Sequence, residues 1–207
     1  MVLDKQIALV GYSGHGYVVA DAAISLGMNL SYYVDKEKNK NDPFNLNYLG
    51  FEKDIDFFSK ITNVDFILGI GNNKIREEAF RLLLNYKLDV INVIHSTSLI
   101  SQKVSLGQGN FLSKNVIINP LTKIKDACII NTGAIIEHEC NIENAVHIAP
   151  GAVLAGNVTV GHRSFVGANS VVKEGVKIGD NVIIGAGSVV VKDIPNNAIV
   201  FGNPINF

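Results

Sequence analysis

From Ile94 to Val190 every sixth residue is Leu, Ile or Val, seventeen times in succession and without an insertion. These three residue types make up roughly a third of the chain, so chance produces such a run on the order of once in a hundred million. A period of six matches neither the helical repeat of about 3.6 nor the strand repeat of about 2. It describes one flat face and one corner per hexad, with three hexads closing a triangular coil. The aliphatic residue points inward. Four places on, the residue is small or β-branched, as at Val116, Thr122, Cys128, Ala134 and Cys140, because it faces the interior too. Glycine or asparagine relieves the corners, as at Gly107, Gly161, Gly167, Gly179 and Gly185. Stacked at the inter-strand spacing of about 4.8 Å, five such coils make a prism roughly 25 Å tall. An ordinary β-sandwich would not hold one phase over so long a stretch.

The segment before this run alternates two other periods. Gln6–Gly11 reads as a buried strand, Gly11–Gly16 (GYSGHG) as a glycine-rich turn, and Val18–Leu26 as a helix ending at Gly27. Leu30–Val34 is a second strand closing on Asp35, and Lys36–Asn47 is a polar loop. Asp65–Gly71, helical Lys74–Asn85 and strand Asp89–Ile94 follow. Strands separated by helices imply a small parallel α/β sheet of Rossmann-like type. The chain therefore divides into an α/β domain over 1–93 and an all-β parallel β-helix with a C-terminal tail over 94–207.

Composition narrows the function classes. The net charge is −1, with 18 basic against 19 acidic residues and no Lys/Arg block, which argues against a nucleic-acid partner. No apolar stretch approaches the roughly 18 residues that span a bilayer. The N-terminus carries Asp4 and runs straight into a strand-and-glycine pattern, so it reads as mature protein. Cys128 and Cys140, without a CxxC spacing, suit core filling in a reducing, cytoplasmic compartment.

Two places carry chemistry. Gly11–Gly16 follows a strand and opens a helix, with Asp35 ending the next strand, which is where a nucleotide's phosphates and ribose would sit. Its spacing is G-x-x-G-x-G, with Ser13 at the second glycine position of the dinucleotide fingerprint, and no second mononucleotide half follows. NAD is not expected. In Ile136–Cys140 (IEHEC), His138 and Glu139 fall at a corner, where side chains project outward. Such a histidine is either a solvated corner residue or a general base near neutral pH, with the carboxylate fixing its tautomer.

The hexad run together with GYSGHG, Gly69–Asn73 (GIGNN), Asn131–Thr132, IEHEC, Ala155–Asn157 (AGN) and Gly202–Pro204 (GNP) resembles the bacterial hexapeptide-repeat sugar acetyltransferases. These include the UDP-4-amino-sugar N-acetyltransferase of bacillosamine synthesis and the sialic acid O-acetyltransferases. The resemblance implies that the β-helix is left-handed and that three chains form a homotrimer with the acetyl-CoA cleft between neighbours. It implies acetylation of the 4-amino group of a nucleotide-linked sugar, UDP being the expected nucleotide, for surface glycan or glycoprotein synthesis. The alternatives are O-acetylation of sialic acid or another sugar hydroxyl, and a non-catalytic nucleotide-sugar-binding protein.

Carried over residue by residue, His138 is the base and Glu139 its partner. Gly156 falls eighteen residues after His138 and so stacks one coil above it, which makes its amide the candidate oxyanion donor. His147, Ala168 and Ala186 contact acetyl-CoA, the alanines through backbone groups. Ser13, Gly14, His15, Asp35, Lys36, Gly71 and Asn131 bind the acceptor, although Lys36 replaces an acidic residue of the bacillosamine enzyme. No metal is expected: His138, His147 and His162 lie nine and fifteen residues apart and lack the close His-x4-His pair of hexapeptide-fold carbonic anhydrases. His162, in a glycine corner, is read as solvated.

Overall fold

The computed structural model describes residues 5–54 and 56–205, so Asp4, read above at the start of the chain, lies outside it. The N-terminal domain runs β1 (Gln6–Val10), α1 (Gly14–Ser25), β2 (Leu30–Val34), β3 (Asn47–Gly50), β4 (Val64–Leu68) and α2 (Asn73–Asn85). The four strands form one parallel sheet in the order β3-β2-β1-β4, with Leu9 opposite both Tyr33 and Ile67. Gly16 and Gly69 both approach the Gly11 carbonyl so closely that a Cβ at either would collide with it. The glycines thus seat the start of α1 against the ends of β1 and β4.

Two elements differ from the sequence reading. The polar segment after β2 ends in β3, which pairs Tyr33 with Tyr48; the flanking Asn47 and Gly50 disguise it as loop. The preceding turn is pinned by Tyr12, whose hydroxyl donates to Asp42 Oδ1 at 2.6 Å. Asp89–Ile94 is not a fourth full strand. Val90 makes one parallel bridge to Phe66, and Val93–Ile94 then becomes the first rung of the coil. Asn92 makes the change of direction, donating to the Gly107 carbonyl at 2.7 Å and accepting from the Asn110 amide at 2.8 Å.

The β-helix consists of two-residue rungs on three parallel faces. The first face has seven rungs, from Val93–Ile94 to Ile199–Val200; the second has six, from Leu99–Ile100 to Val189–Val190; the third has five, from Ser105–Leu106 to Lys177–Ile178. At about 4.8 Å per rung the first face is about 29 Å tall, one to two coils more than the hexad count suggested. The second residue of each rung enters a single core with the small residues four places on, Cys128 and Cys140 among them, both 0% exposed. Polar members of that inner set largely follow one rule, donating to the carbonyl fifteen residues ahead, while Ser188 turns back to the Gly185 carbonyl. Thr122 reaches Glu137, Cys128 reaches Glu143, Cys140 reaches Ala155, and Ser164 reaches Gly179, at 2.7–3.2 Å. Burial lifts the Cys128 thiol to about 12 and the Cys140 thiol to about 11, so both stay protonated.

The outward residue of each rung gives the faces different characters. On the first face Val93, Phe111 and Ile129 are buried in a core shared with α1 and the sheet. The third face is polar: Ser105, Lys123, Asn141, Thr159 and Lys177. On the second face the same position holds Leu99, Ile117, Ile135, Val153, Val171 and Val189, an aliphatic stripe with no cover in the monomer.

α2 closes the junction from the side. Arg76 is 1% exposed, and its guanidinium donates to the carbonyls of Ala127 (2.7 Å), Ala145 (3.0 Å), Ile70 (3.2 Å) and Gly71 (3.1 Å). The neighbouring Glu77, 2% exposed, accepts from His162 Nε2 at 2.9 Å and from Arg163. His162 is therefore an anchor between the two domains, not the solvated corner residue expected from its glycine context. The sequence could not show its partner, which lies 85 positions away on a helix.

Candidate active site

The corner between the second and third faces holds Glu137–Cys140. Glu139 occupies its left-handed position, with φ 61°, where Asn or Gly stands at many other corners. The turn throws both polar side chains outward, His138 52% exposed and Glu139 57%. His138 Nδ1 donates to Glu139 Oε2 at 3.1 Å, which leaves Nε2 as a lone pair open to an acceptor's proton. One coil above, Gly156 is buried under the ring: a Cβ there would meet His138 Cε1 at 2.5 Å and Nε2 at 2.6 Å. Among the described residues the Gly156 amide has no backbone acceptor, although its carbonyl takes the Gly175 amide. A histidine with an open ring nitrogen and an N–H without a backbone acceptor therefore stand side by side, groups of the kind that acyl transfer uses.

The other expected site residues gather elsewhere, where the sheet meets the first face. Ser13 caps α1 without a side-chain bond, so the first turn of that helix leaves its amides open. Asp35 accepts the Tyr12 amide at 3.0 Å and the Lys36 amide at 2.8 Å; it braces the glycine-rich turn while also lining a cavity of about 280 Å³ with Ser13, Lys36 and Gly71. A second cavity, of about 330 Å³, continues past Gly71 to Lys74, Arg163 and Phe165.

His15 and His147 face each other across the junction, ring centroids 6.1 Å apart. His147 is 9% exposed. Nε2 accepts from Asn131 Nδ2 at 3.2 Å, the amide being oriented by Asn131 Oδ1 accepting the Thr132 amide at 2.8 Å. The other ring nitrogen then carries the hydrogen, and the nearby Gly71 backbone favours it there. Burial, with Arg76 and His15 adding charge repulsion, pushes His147 down to about 3; burial and Arg76 bring His15 down to about 4. Both are neutral imidazoles at physiological pH. His15 Nε2 is buried without a partner, an unfilled hydrogen-bonding position beside Gly71.

Ala168 and Ala186 lie one coil apart on the corner between the first and second faces. The Ala168 carbonyl already accepts the Gly187 amide at 2.8 Å, so its amide is the group left to offer. Ala186 is exposed, with neither amide nor carbonyl in a backbone hydrogen bond among the described residues.

In a triangular prism the corner between the second and third faces lies opposite the first. The base and Gly156 are thus on the far side of the coil from Ser13, Gly14, His15, Asp35, Lys36, Gly71, His147 and Asn131.

Residues 6–83 match the model of the PglD N-terminal domain, and residues 139–174 and 157–192 match that of the bacterial transferase hexapeptide with six repeats. A mutant of the GDP-perosamine N-acetyl transferase from Caulobacter crescentus, in complex with CoA and GDP-perosamine, is 31% identical over 97% of this chain and 95% of that chain, with a TM-score of 0.92. The chain belongs to the hexapeptide-repeat sugar acetyltransferases. Two further similar structures support this placement. The acetyltransferase domain of PglB from Neisseria gonorrhoeae FA1090, in complex with acetyl coenzyme A, is 29% identical over 98% of each chain, with a TM-score of 0.92. WeeI from Acinetobacter baumannii AYE is 26% identical over 97% of this chain and 98% of that chain, at 0.88. As a member of the hexapeptide-repeat sugar acetyltransferases the chain is an acyltransferase, and its coil is the left-handed β-helix, an exception to the right-handed rule for parallel crossovers. No helix among the described residues is long and apolar enough to cross a membrane.

Proposed function

We propose that the chain transfers the acetyl group of acetyl-CoA to the C4 amine of a nucleotide-linked amino sugar, in the cytoplasm, for surface glycan or glycoprotein synthesis. The observation that carries the reading is the His138–Glu139 pair with Nε2 open beside the Gly156 amide. The neutral amine attacks the thioester carbonyl and Nε2 of His138 takes the proton it sheds. Glu139 holds Nδ1–H and stabilises the imidazolium. The Gly156 amide donates to the oxyanion of the tetrahedral intermediate, which collapses to the amide and releases CoA thiolate. Ala168 and Ala186 offer backbone groups to the donor's arm, and His147 shapes its floor while steadying Gly71.

The separation of base and acceptor site within one chain supports a homotrimer. If the aliphatic second face of each prism turns to a threefold axis, its two edges meet the opposite edges of the neighbours. One chain's His138 corner then stands beside the next chain's Ala168–Ala186 corner and its acceptor loop. Light scattering should give a mass about three times 22.4 kDa; a fully active monomer would overturn the arrangement.

The function is tested by thiol release from acetyl-CoA against UDP-, GDP- and dTDP-linked 4-amino sugars and free sialic acids. Turnover with at least one nucleotide-linked amino sugar is expected. Acetylation confined to sialic acid hydroxyls would replace this reading with O-acetylation.

A further inference from the structure

All four strands of the N-terminal sheet end on one rim, and their C-terminal ends border the 280 Å³ cavity: Glu52 beyond β3, Asp35 beyond β2, Ser13 beyond β1 and Gly71 beyond β4. Ligands of open parallel sheets bind outside these ends. The uncapped start of α1 at Ser13 suits the diphosphate, and Gly71, tied to the β-helix through Arg76 and His147, marks the end where the sugar must lie. The base then falls at the opposite end, beyond β3.

Glu52 stands there. It is 4% exposed, and among the described residues its carboxylate has no side-chain hydrogen bond or ion pair, its own amide being its backbone contact. An ionised carboxylate bordering the cavity can only accept, through two oxygens side by side. Guanine alone among the common bases presents two adjacent donors, N1–H and the N2 amino group, on its pairing edge. Uracil and thymine set one N3–H between two carbonyl oxygens, which a carboxylate would repel. Adenine and cytosine pair one donor with a ring lone pair.

We infer that Glu52 reads the guanine of a GDP-linked amino sugar, one carboxylate oxygen accepting from N1–H and the other from the N2 amino group. Phe51, bordering the same cavity, supplies an aromatic ring on which the base stacks. The inference rests on the acetyltransferase reading above and replaces the uridine nucleotide that the resemblance implied.

Calorimetric titration of the full chain with GDP, IDP, UDP and dTDP tests it. GDP should bind at least about tenfold more tightly than UDP or dTDP, and IDP, which lacks only the N2 amino group, about tenfold more weakly than GDP. Glu52→Gln should bring GDP down to the level of IDP and leave acetyl-CoA binding unchanged. The GDP-to-IDP ratio needs no variant, so a misfolded Glu52→Gln would not protect the inference. UDP binding as tightly as GDP, or a GDP-to-IDP preference that survives Glu52→Gln, overturns it. His138-dependent acetylation of a UDP-linked but not a GDP-linked amino sugar would sink the guanine site and keep the transferase. GDP selectivity lost in Glu52→Gln, with no amino sugar acetylated, would do the reverse.

Discussion

His138 and His147 are nine positions apart on one strand of coil and present the same ring to very different surroundings. The His138 side chain is 52% exposed and has one nitrogen braced by Glu139 and one open. His147 is 9% exposed, with one nitrogen taken by Asn131 and the Gly71 backbone close by, and burial holds it neutral down to about pH 3. A general base needs a lone pair that substrate can reach and a proton site that a carboxylate can hold. The corner supplies both. The junction supplies neither, and there the same side chain packs between the α/β domain and the β-helix.

The sharpest way to break this contrast is to truncate each ring. His138→Ala should lower kcat by about 10²–10⁴-fold, with the melting temperature and the KM for acetyl-CoA little changed. His147→Ala should instead destabilise the fold by about 1–3 kcal/mol, because it strands the Asn131 amide it now accepts from, and should raise the KM for acetyl-CoA. If His138→Ala keeps more than a tenth of wild-type kcat with saturating acceptor, catalysis rests on positioning a neutral amine and the contrast collapses.

Gly156→Ala probes the corner without touching its titratable groups. The new methyl would lie where the His138 ring now sits, so the ring must swing aside and kcat should fall by about tenfold or more. Unchanged steady-state kinetics would show that the ring's seat on Gly156 does not matter.

The junction predicts a pH effect on stability. His15 and His147 have folded values of about 4 and about 3, below the ordinary 6.5, so the unfolded chain binds more protons as the solution is acidified. The pair costs nothing above about pH 6.5; below it, unfolding free energy should drop by about 1.4 kcal/mol per pH unit for each histidine. Urea titrations at several pH values check this, and His147→Gln should remove about half the slope. A slope that His147→Gln leaves intact would mean the acid sensitivity arises elsewhere.

The smallest effect has the opposite sign. Glu139 sits in left-handed backbone, which non-glycine residues other than Asn and Asp adopt at a cost of about 1 kcal/mol. Glu139→Asn should therefore raise stability by up to about 1 kcal/mol while lowering kcat, as a stability loss in thermal melts would refute. The carboxylate is kept at the expense of the turn.

The coil was legible because its inward residues recur at a fixed step, and the His138–Glu139 corner because that step places it outward. Contacts that join distant segments were not. Arg76 and Glu77 sit on a helix read from its apolar spacing alone, and only the fold brings them onto Ala127, Ala145, His162 and Arg163. The outward residues were as periodic as the inward ones, yet which face is covered depends on where the α/β domain docks. Glu52 belongs to a stretch with no period, and β3 is four residues long with Asn and Gly at its ends, so neither announced itself.

Ala168 and Ala186 repeat one position of the same corner, just as His147, Phe165 and Ile183 repeat one position of the first face. Successive rungs are about 4.8 Å apart, so the β-helix is graduated like a measuring staff. A flexible molecule laid along it meets equivalent backbone groups at equal intervals, and its length is gauged by the number of steps between fixed marks, with no end wall required. Splicing in one whole coil between those marks would lengthen the gauge by a single division and leave the cross-section and every side chain's heading unaltered.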